Sequence, residues 1–409
     1  MSITVIGLDG SVPAGRAAEA LAAARLVVGG RRHLAAVDGL VPPDARRVEI
    51  GGGSDLLDAL SQVGPGERPA VVLASGDPGF FGILRALRAV LARAGDDAGL
   101  TVLPAVSSVA AAFAQAGLTW DDALVVSAHG RDSAAAVNAC RRWPKVAVLT
   151  EPRFGPAQLG ASLTGLDRRL LVAERLGTPD ERVRTVTPEQ AAATDWEDPN
   201  VVVVVEPGHQ RGGGPGWAWP ARRGADHWAL DPDEFDHRDG MVTKAEVRAL
   251  VLAWLGPGLG DLVWDVGAGS GSVAVECARL GAAAIAVEPD PDQCLRITGN
   301  AERHGVPVQV VQGAAPAALD GLPEPDAVFV GGGGRELEAI VAAAGARARR
   351  AVVVALATVE RVGLAERALT KAGLEVTGTM LSAARLAPLA GGHRLAAANP
   401  VFVLGGWRR

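Results

Sequence analysis

Short apolar runs, rich in β-branched residues and separated by Ala-rich stretches, recur along nearly the whole chain and limit what it can fold into. In the first half they are Ile3–Ile6, Val71–Ala74, Val125–Val126, Val146–Leu149, Leu170–Ala173 and Val201–Val205. In the second they are Leu262–Val266, Ala284–Val287, Val308–Val311, Ala327–Val330 and Ala351–Leu356. None alternates polar with apolar residues, as expected of strands covered on both faces in parallel sheets. Strand–helix alternation in both halves predicts α/β architecture. At 409 residues the chain exceeds one ordinary core, so two domains are expected. The seam falls at residues 208–226, a Gly-, Pro- and Arg-rich stretch without apolar period that reads as a linker between domains at 1–207 and 227–409. Trp217 and Trp219 within it suggest that part of it docks.

Composition narrows the function classes. The net charge of −6 gives no footprint for nucleic acid. Cys140, Cys277 and Cys294 form no CxxC pair, and the seven histidines show no HxxxH spacing, so neither a disulfide framework nor a metal site is expected. The N-terminal MSITVIGLDG lacks a signal-peptide pattern, and no apolar run approaches the roughly 20 residues that span a bilayer. A cytoplasmic protein without membrane partners is expected.

The most informative motif is DVGAGSGS, Asp265–Ser272. A strand at Leu262–Val266, a turn at Gly267–Gly271 and a helix at Ser272–Leu280 are predicted. Glycines suit a backbone that turns tightly and lets a ligand approach. A nicotinamide site favours GxGxxG, with pyrophosphate on the helix N-terminus. This loop is GxGxG, preceded by Asp265, whose charge would repel a pyrophosphate but suits an ammonium. Glu288, at the end of the next strand, can accept from a ribose diol. The pair favours S-adenosylmethionine over a dinucleotide, and a bare strand–helix turn would need neither acid.

Longer segments carry a resemblance. DPDEFDHRDGMVTKAEVRAL (231–250), VQGAAPAALDGLPEPDAVFVGGGG (311–334) and HRLAAANPVFVLGG (393–406) resemble the decarboxylating precorrin methyltransferases of cobalamin biosynthesis. SGDPGFFG (75–82), PAVSSVAAAF (104–113), SAHGR (127–131), EPRFGP (151–156) and AERLGTPDERV (173–183) resemble the tetrapyrrole methylases. The resemblance implies an N-terminal tetrapyrrole-methylase fold of two α/β lobes, followed by a Rossmann-like class I methyltransferase domain. It further implies a bifunctional enzyme with one S-adenosylmethionine per domain. Precorrin-6B would be methylated at carbons 5 and 15 and lose its ring C acetate as carbon dioxide, giving precorrin-8. The alternative is a methylase pair acting on another tetrapyrrole, such as a cobalt-precorrin. Related methylases assemble from several copies, so a homo-oligomer is expected.

Residues follow from the same resemblance. Asp265, Gly267, Gly269, Gly271 and Glu288 would hold the second cofactor, with Thr243 and Lys244 closing over its methionine end. Gly313 begins the loop where adenine lies in the family. Ala314 stands where the family often has an acid, so backbone contacts would serve there. Gly331 and Gly332 could make room for the macrocycle. In the first half, Gly76, Asp77, Pro78, Ser107 and Ser108 would contact the cofactor. His129, Arg131 and Arg153, and in the second half Arg385, His393 and Arg394, are candidate partners for the substrate's carboxylates. Arg347, Arg349 and Arg350 read as a solvated helix end.

Overall fold

A computed structural model describes residues 2–51, 69–93, 99–130, 132–209, 227–238 and 242–408. Arg131, Trp217, Trp219 and nearly all of the expected linker lie outside the described residues. The chain forms two compact units, residues 1–131 with 145–219, and residues 132–144 with 220–409. Among the described residues no helix is long and apolar enough to cross a membrane.

The first unit holds two five-stranded sheets. Strands β1 (Ser2–Leu8), β2 (Leu26–Gly29), β3 (Arg46–Glu49), β4 (Ala70–Ser75) and β5 (Gly99–Leu103) form a parallel sheet of order β3-β2-β4-β1-β5. Its central residues Val5, Val27, Val28 and Val72 are wholly buried, which accounts for the uninterrupted apolar runs. Strands β6 (Leu124–Ser127), β7 (Lys145–Leu149), β8 (Arg169–Glu174), β9 (Arg182–Val186) and β10 (Asn200–Val205) form the other sheet, of order β6-β7-β10-β8-β9. Here only β6 and β7 run parallel; β10 opposes both its neighbours and β9 opposes β8. Continuous apolar runs therefore reported burial on both faces, not strand direction. β10 is buried throughout although antiparallel.

The second unit is built on strands β11 (Leu262–Val266), β12 (Ala283–Glu288), β13 (Gln309–Gln312), β14 (Ala327–Val330), β15 (Ala351–Leu356) and β16 (Glu375–Leu381). A hairpin of β17 (Ala384–Leu389) and β18 (Gly392–Ala397) follows, then β19 (Val401–Trp407). The sheet order is β13-β12-β11-β14-β15-β19-β16, with β19 antiparallel to both neighbours. Alternate residues face opposite layers. Val263, Ala327 and Val353 pack with Val247, Val251, Val273 and Cys277 of helices Ala245–Leu255 and Ser272–Arg279. Trp264, Val266, Val328 and Val352 pack with Ile340, Ala344, Ala365 and Leu369 of helices Leu337–Arg347 and Val362–Lys371.

Strand order positions the sites. The connection from β11 leads to β12 on one side, and that from β14 leads to β15 on the other. Such divergence leaves a crevice outside the carboxyl ends of adjacent parallel strands, where ligands of open α/β sheets bind.

Candidate functional sites

The glycine loop of the second unit enters that crevice. β11 pairs with β12 and β14 through residues buried on both sides, so its end is held rigidly. The chain then turns through Gly267, Gly269 and Gly271 at φ of 69°, 56° and 72°. These left-handed conformations are strained for residues with a Cβ. A Cβ at Gly267 would also stand 3.2 Å from the nitrogen of Gly332, so the two glycine-rich loops of this unit approach backbone to backbone.

Both predicted acids lie here. Asp265 is 1% exposed. Its Oδ2 accepts from the N–H of Ala274 at 2.9 Å, while Oδ1 is buried without a partner. Burial raises its pKa to about 7 against the lowering effect of the Ala274 N–H, and the neighbouring Glu288 carboxylate adds to the rise. Glu288 accepts from Gly269 N–H at 2.8 Å and from Asp290 N–H at 3.1 Å, one at each oxygen. It thus fixes the loop in addition to any role toward a ribose, for which each carboxylate oxygen keeps a lone pair. The orphaned Oδ1 is an observation of fit: a buried acceptor lacking a donor suits a cofactor that ends in an ammonium.

Gly313 N–H donates to the Glu288 carbonyl at 3.0 Å, which places the β13 loop beside that carboxylate, and Ala314 is exposed. At Gly332 a Cβ would meet nothing within 4 Å, so space is free there. At Gly331 it would stand 2.9 Å from the Phe329 ring, so this glycine serves packing. Lys244 donates to the Asn399 carbonyl at 3.2 Å, and the Thr243 carbonyl accepts from Arg248.

Three buried polar residues that sequence reasoning missed hold this architecture. Arg248 donates to Glu276 at 2.6 Å and also to the carbonyls of Thr243 and Leu230. Glu276, on the helix leaving the glycine loop, accepts from the N–H groups of Ala229 and Leu230 at 2.7 and 2.9 Å. Asn300 donates to the carbonyls of Ser270 and Asp236 at 2.8 and 3.0 Å and accepts from Asp236 N–H at 2.7 Å. The segment before helix Ala245–Leu255 is thereby clamped to the glycine loop. The only available signal was a set of polar residues at positions whose helical period faces inward.

In the first unit the GDP loop follows β4. Gly76 has φ 54°, and a Cβ there would stand 2.9 Å from Ser107 Cα. Gly76 and Ser107, far apart in sequence, are thus brought together. Asp77 accepts from Gly79 N–H at 2.8 Å, and the Ser107 hydroxyl accepts from Ala110 N–H at 3.1 Å as the cap of helix Ser108–Ala116. Nearby, Asp9 accepts from the Ser11 hydroxyl at 2.6 Å, which holds its carboxyl below the usual range.

The carboxylate partners divide. His129 and Arg153 are exposed on the turns after the parallel neighbours β6 and β7. Glu151 joins those turns by accepting from Gly130 N–H at 2.9 Å. Arg385 is already matched, giving 3.1 and 3.2 Å hydrogen bonds to the two oxygens of Glu246. His393 and Arg394 are exposed on β18, opposite Pro388 and Ala387. Arg347 and Arg350 are not merely solvated: Arg347 lies 4.6 Å over the Trp264 ring and donates to the Leu319 carbonyl at 2.6 Å. Arg350 grips Asp261 with two 3.0 Å bonds.

Comparison with known proteins agrees with this arrangement. Residues 14–192 match the family model of tetrapyrrole (corrin/porphyrin) methylases, and residues 233–406 that of the precorrin methyltransferase domain. Over 346 residues the chain is 39% identical to the decarboxylating precorrin-6Y C(5,15)-methyltransferase of Sinorhizobium sp, covering 82% of this chain and 79% of that one. The chain belongs to the decarboxylating precorrin-6Y C5,15-methyltransferases. It is a methyltransferase, with an N-terminal tetrapyrrole methylase domain and a C-terminal Rossmann-like one. Members of this family join what other proteins keep apart. A probable cobalt-precorrin-6B C(15)-methyltransferase (decarboxylating) of Pyrobaculum calidifontis is 39% identical over 42% of this chain and 93% of its own. A cobalt-precorrin-7 C(5)-methyltransferase of Salmonella typhimurium is 34% identical over 50% of this chain and 99% of its own.

Proposed function

We propose that the chain carries two S-adenosylmethionine sites, one in each of the domains 1–207 and 227–409, and methylates precorrin-6B at carbons 5 and 15. The first domain is assigned carbon 5. The second is assigned carbon 15 and release of the ring C acetate as carbon dioxide, giving precorrin-8. The observation that carries this reading is the unpartnered, fully buried Oδ1 of Asp265 beside three left-handed glycines. A cytoplasmic location and assembly from several copies accompany the reading.

When bound, S-adenosylmethionine supplies a methyl group already activated by its sulfonium charge. The chain's residues then have to bind, orient and exclude water, which is catalysis by proximity. Asp265 would hold the ammonium and Glu288 the ribose, while Gly313 would offer backbone to the adenine. Thr243 and Lys244 would close the methionine end, held there by Arg248. In the first domain, Gly76–Pro78 and Ser107–Ser108 would contact the cofactor through backbone, because Asp77 and Ser107 already satisfy N–H groups of their own turns. The open space at Gly332 would admit the macrocycle. His129, Arg153, His393 and Arg394 remain the carboxylate partners.

Incubation with precorrin-6B and methyl-labelled S-adenosylmethionine is expected to add two labelled methyl groups and release one carbon dioxide per macrocycle. Recovery of bound but unmodified substrate would contradict the reading. The half-length relatives bear cobalt-precorrin names, so the cobalt-containing substrate is the second reading. Faster turnover of it than of the metal-free compound would select that one.

A further inference from the structure

The first unit gathers a polar cluster that the two cofactor loops do not use. Arg32 and His33 lie just after β2, and Ser75 ends β4. Arg32 donates to the Ser75 hydroxyl at 2.7 Å and to His33 Nε2 at 3.3 Å. Ser75 Oγ lies 3.0 Å from the same imidazole nitrogen. A guanidinium N–H can only donate, so Nε2 is the acceptor and the ring proton sits on Nδ1. Ser75 consequently accepts from Arg32 and donates to His33. Burial, then the Arg32 charge, push His33 down to about 4, so the imidazole is neutral at physiological pH. Among the described residues Arg32 makes no ion pair, and both its hydrogen-bond partners are uncharged. Among the described residues the cluster carries one positive charge and no anion pairs with it.

Its location is specific. The connection from β2 leads outward to β3, whereas that from β4 leads the opposite way to β5. Their divergence opens the ligand crevice of this sheet between β2 and β4, where Arg32, His33 and Ser75 meet. Ser75 directly precedes the Gly76–Pro78 loop. The segments that follow β1, β4 and β5 at the same edge expose Val12 (78%), Phe81 (45%) and Val106 (55%). Phe81 has φ 53°, a conformation that bulky residues seldom adopt and that concentrates at ligand sites. An apolar edge beside an unmatched guanidinium suits a flat, greasy ring with carboxylates on its rim.

We propose that Arg32, oriented by Ser75 and His33, docks one side-chain carboxylate of the tetrapyrrole at the first site, with Phe81 and Val106 against part of the ring face. This rests on the two-site reading above and deepens it. The test uses the full chain, with carbon-5 and carbon-15 methylation followed separately and S-adenosylhomocysteine binding measured by calorimetry. Arg32→Gln is expected to raise the KM for precorrin in carbon-5 methylation about tenfold or more. Its kcat should stay within about twofold, and the number of bound S-adenosylhomocysteine molecules should not change. Arg32→Lys should recover part of the loss. Added salt should raise the wild-type KM more steeply than that of Arg32→Gln, a response that a purely structural role would not produce. An unchanged KM with homocysteine-nucleoside binding intact would overturn the docking site and spare the two-site reading. A lowered kcat at constant KM would also overturn docking. Binding of a single S-adenosylhomocysteine by the wild type would instead remove the reading on which the proposal stands.

Discussion

The glycine loop after β4 and the glycine loop after β11 occupy the same place in two different sheets, yet they handle negative charge in opposite ways. Around the loop after β4 the acids have partners: Asp77 accepts from Gly79, and Asp9, just after β1, accepts from Ser11 and from Val106 N–H. After β11, Asp265 is buried with one oxygen unpartnered, close enough to Glu288 to feel its charge. The first loop is defined by how closely backbones approach. A Cβ at Gly7 would stand 1.9 Å from the Gly76 carbonyl oxygen, and one at Gly76 2.9 Å from Ser107. The second buries a carboxylate oxygen that no donor among the described residues reaches. On the two-site reading proposed above, the first domain would recognise its cofactor by shape and the second by charge.

The strongest way to break this contrast is steric. Gly269→Arg is expected to abolish carbon-15 methylation and one of two S-adenosylhomocysteine equivalents, because a large side chain meets a left-handed φ beside Glu288. Carbon-5 methylation should persist on a substrate that reaches the first site. Equal loss of both activities would contradict independent loops. Next in size, Asp265→Asn removes charge and keeps shape. It should weaken binding at the second site about 10- to 100-fold and leave the first site unaffected, as read by calorimetry.

A pH series sharpens the same point. The cofactor's ammonium needs Asp265 ionised, and its carboxyl in the folded, ligand-free protein releases its proton only at about 7. Affinity at the second site should therefore fall as pH drops below about 7, by up to roughly tenfold per unit. The first site should stay level, since no carboxylate oxygen among its described residues is buried without a partner. Stability runs the other way. Between the ordinary carboxyl range and about 7 the folded state binds a proton that the unfolded state has lost, so the ligand-free second domain should lose stability as pH rises across that window. Thermal melts with and without S-adenosylhomocysteine would read both slopes. Asn300→Ala is read in stability, not binding: it strips partners from Ser270 and Asp236 and should cost about 2 to 3 kcal/mol in denaturant unfolding.

Much of this contrast is readable in the sequence, because the second loop is short and contiguous. Asp265, the three glycines and Glu288 announce themselves within one strand–turn–helix–strand unit. Every apolar run read as a strand is one. The strands overlooked, β2, β3, β5, β9 and β16 to β19, have other reasons to be quiet. β9 (RVRTV) mixes charge with valine at a sheet edge, and β17 and β18 are largely exposed. The clamps are illegible for a different reason. Nothing in the spacing of these residues reveals that Arg248 pairs with Glu276, or that Glu276 and Asn300 hold backbone groups tens of residues away. The Arg32–Ser75 contact likewise exists only once β2 and β4 lie side by side.

The placement of β19 has a consequence for how the second domain is assembled. It follows β16 and the β17–β18 hairpin in sequence but lies between β15 and β16 in the sheet. During synthesis β16 therefore emerges before the strand that will hold it, and β15 presents an open edge in the meantime. Such a delayed, non-local insertion slows folding and leaves an unpaired edge available to other chains.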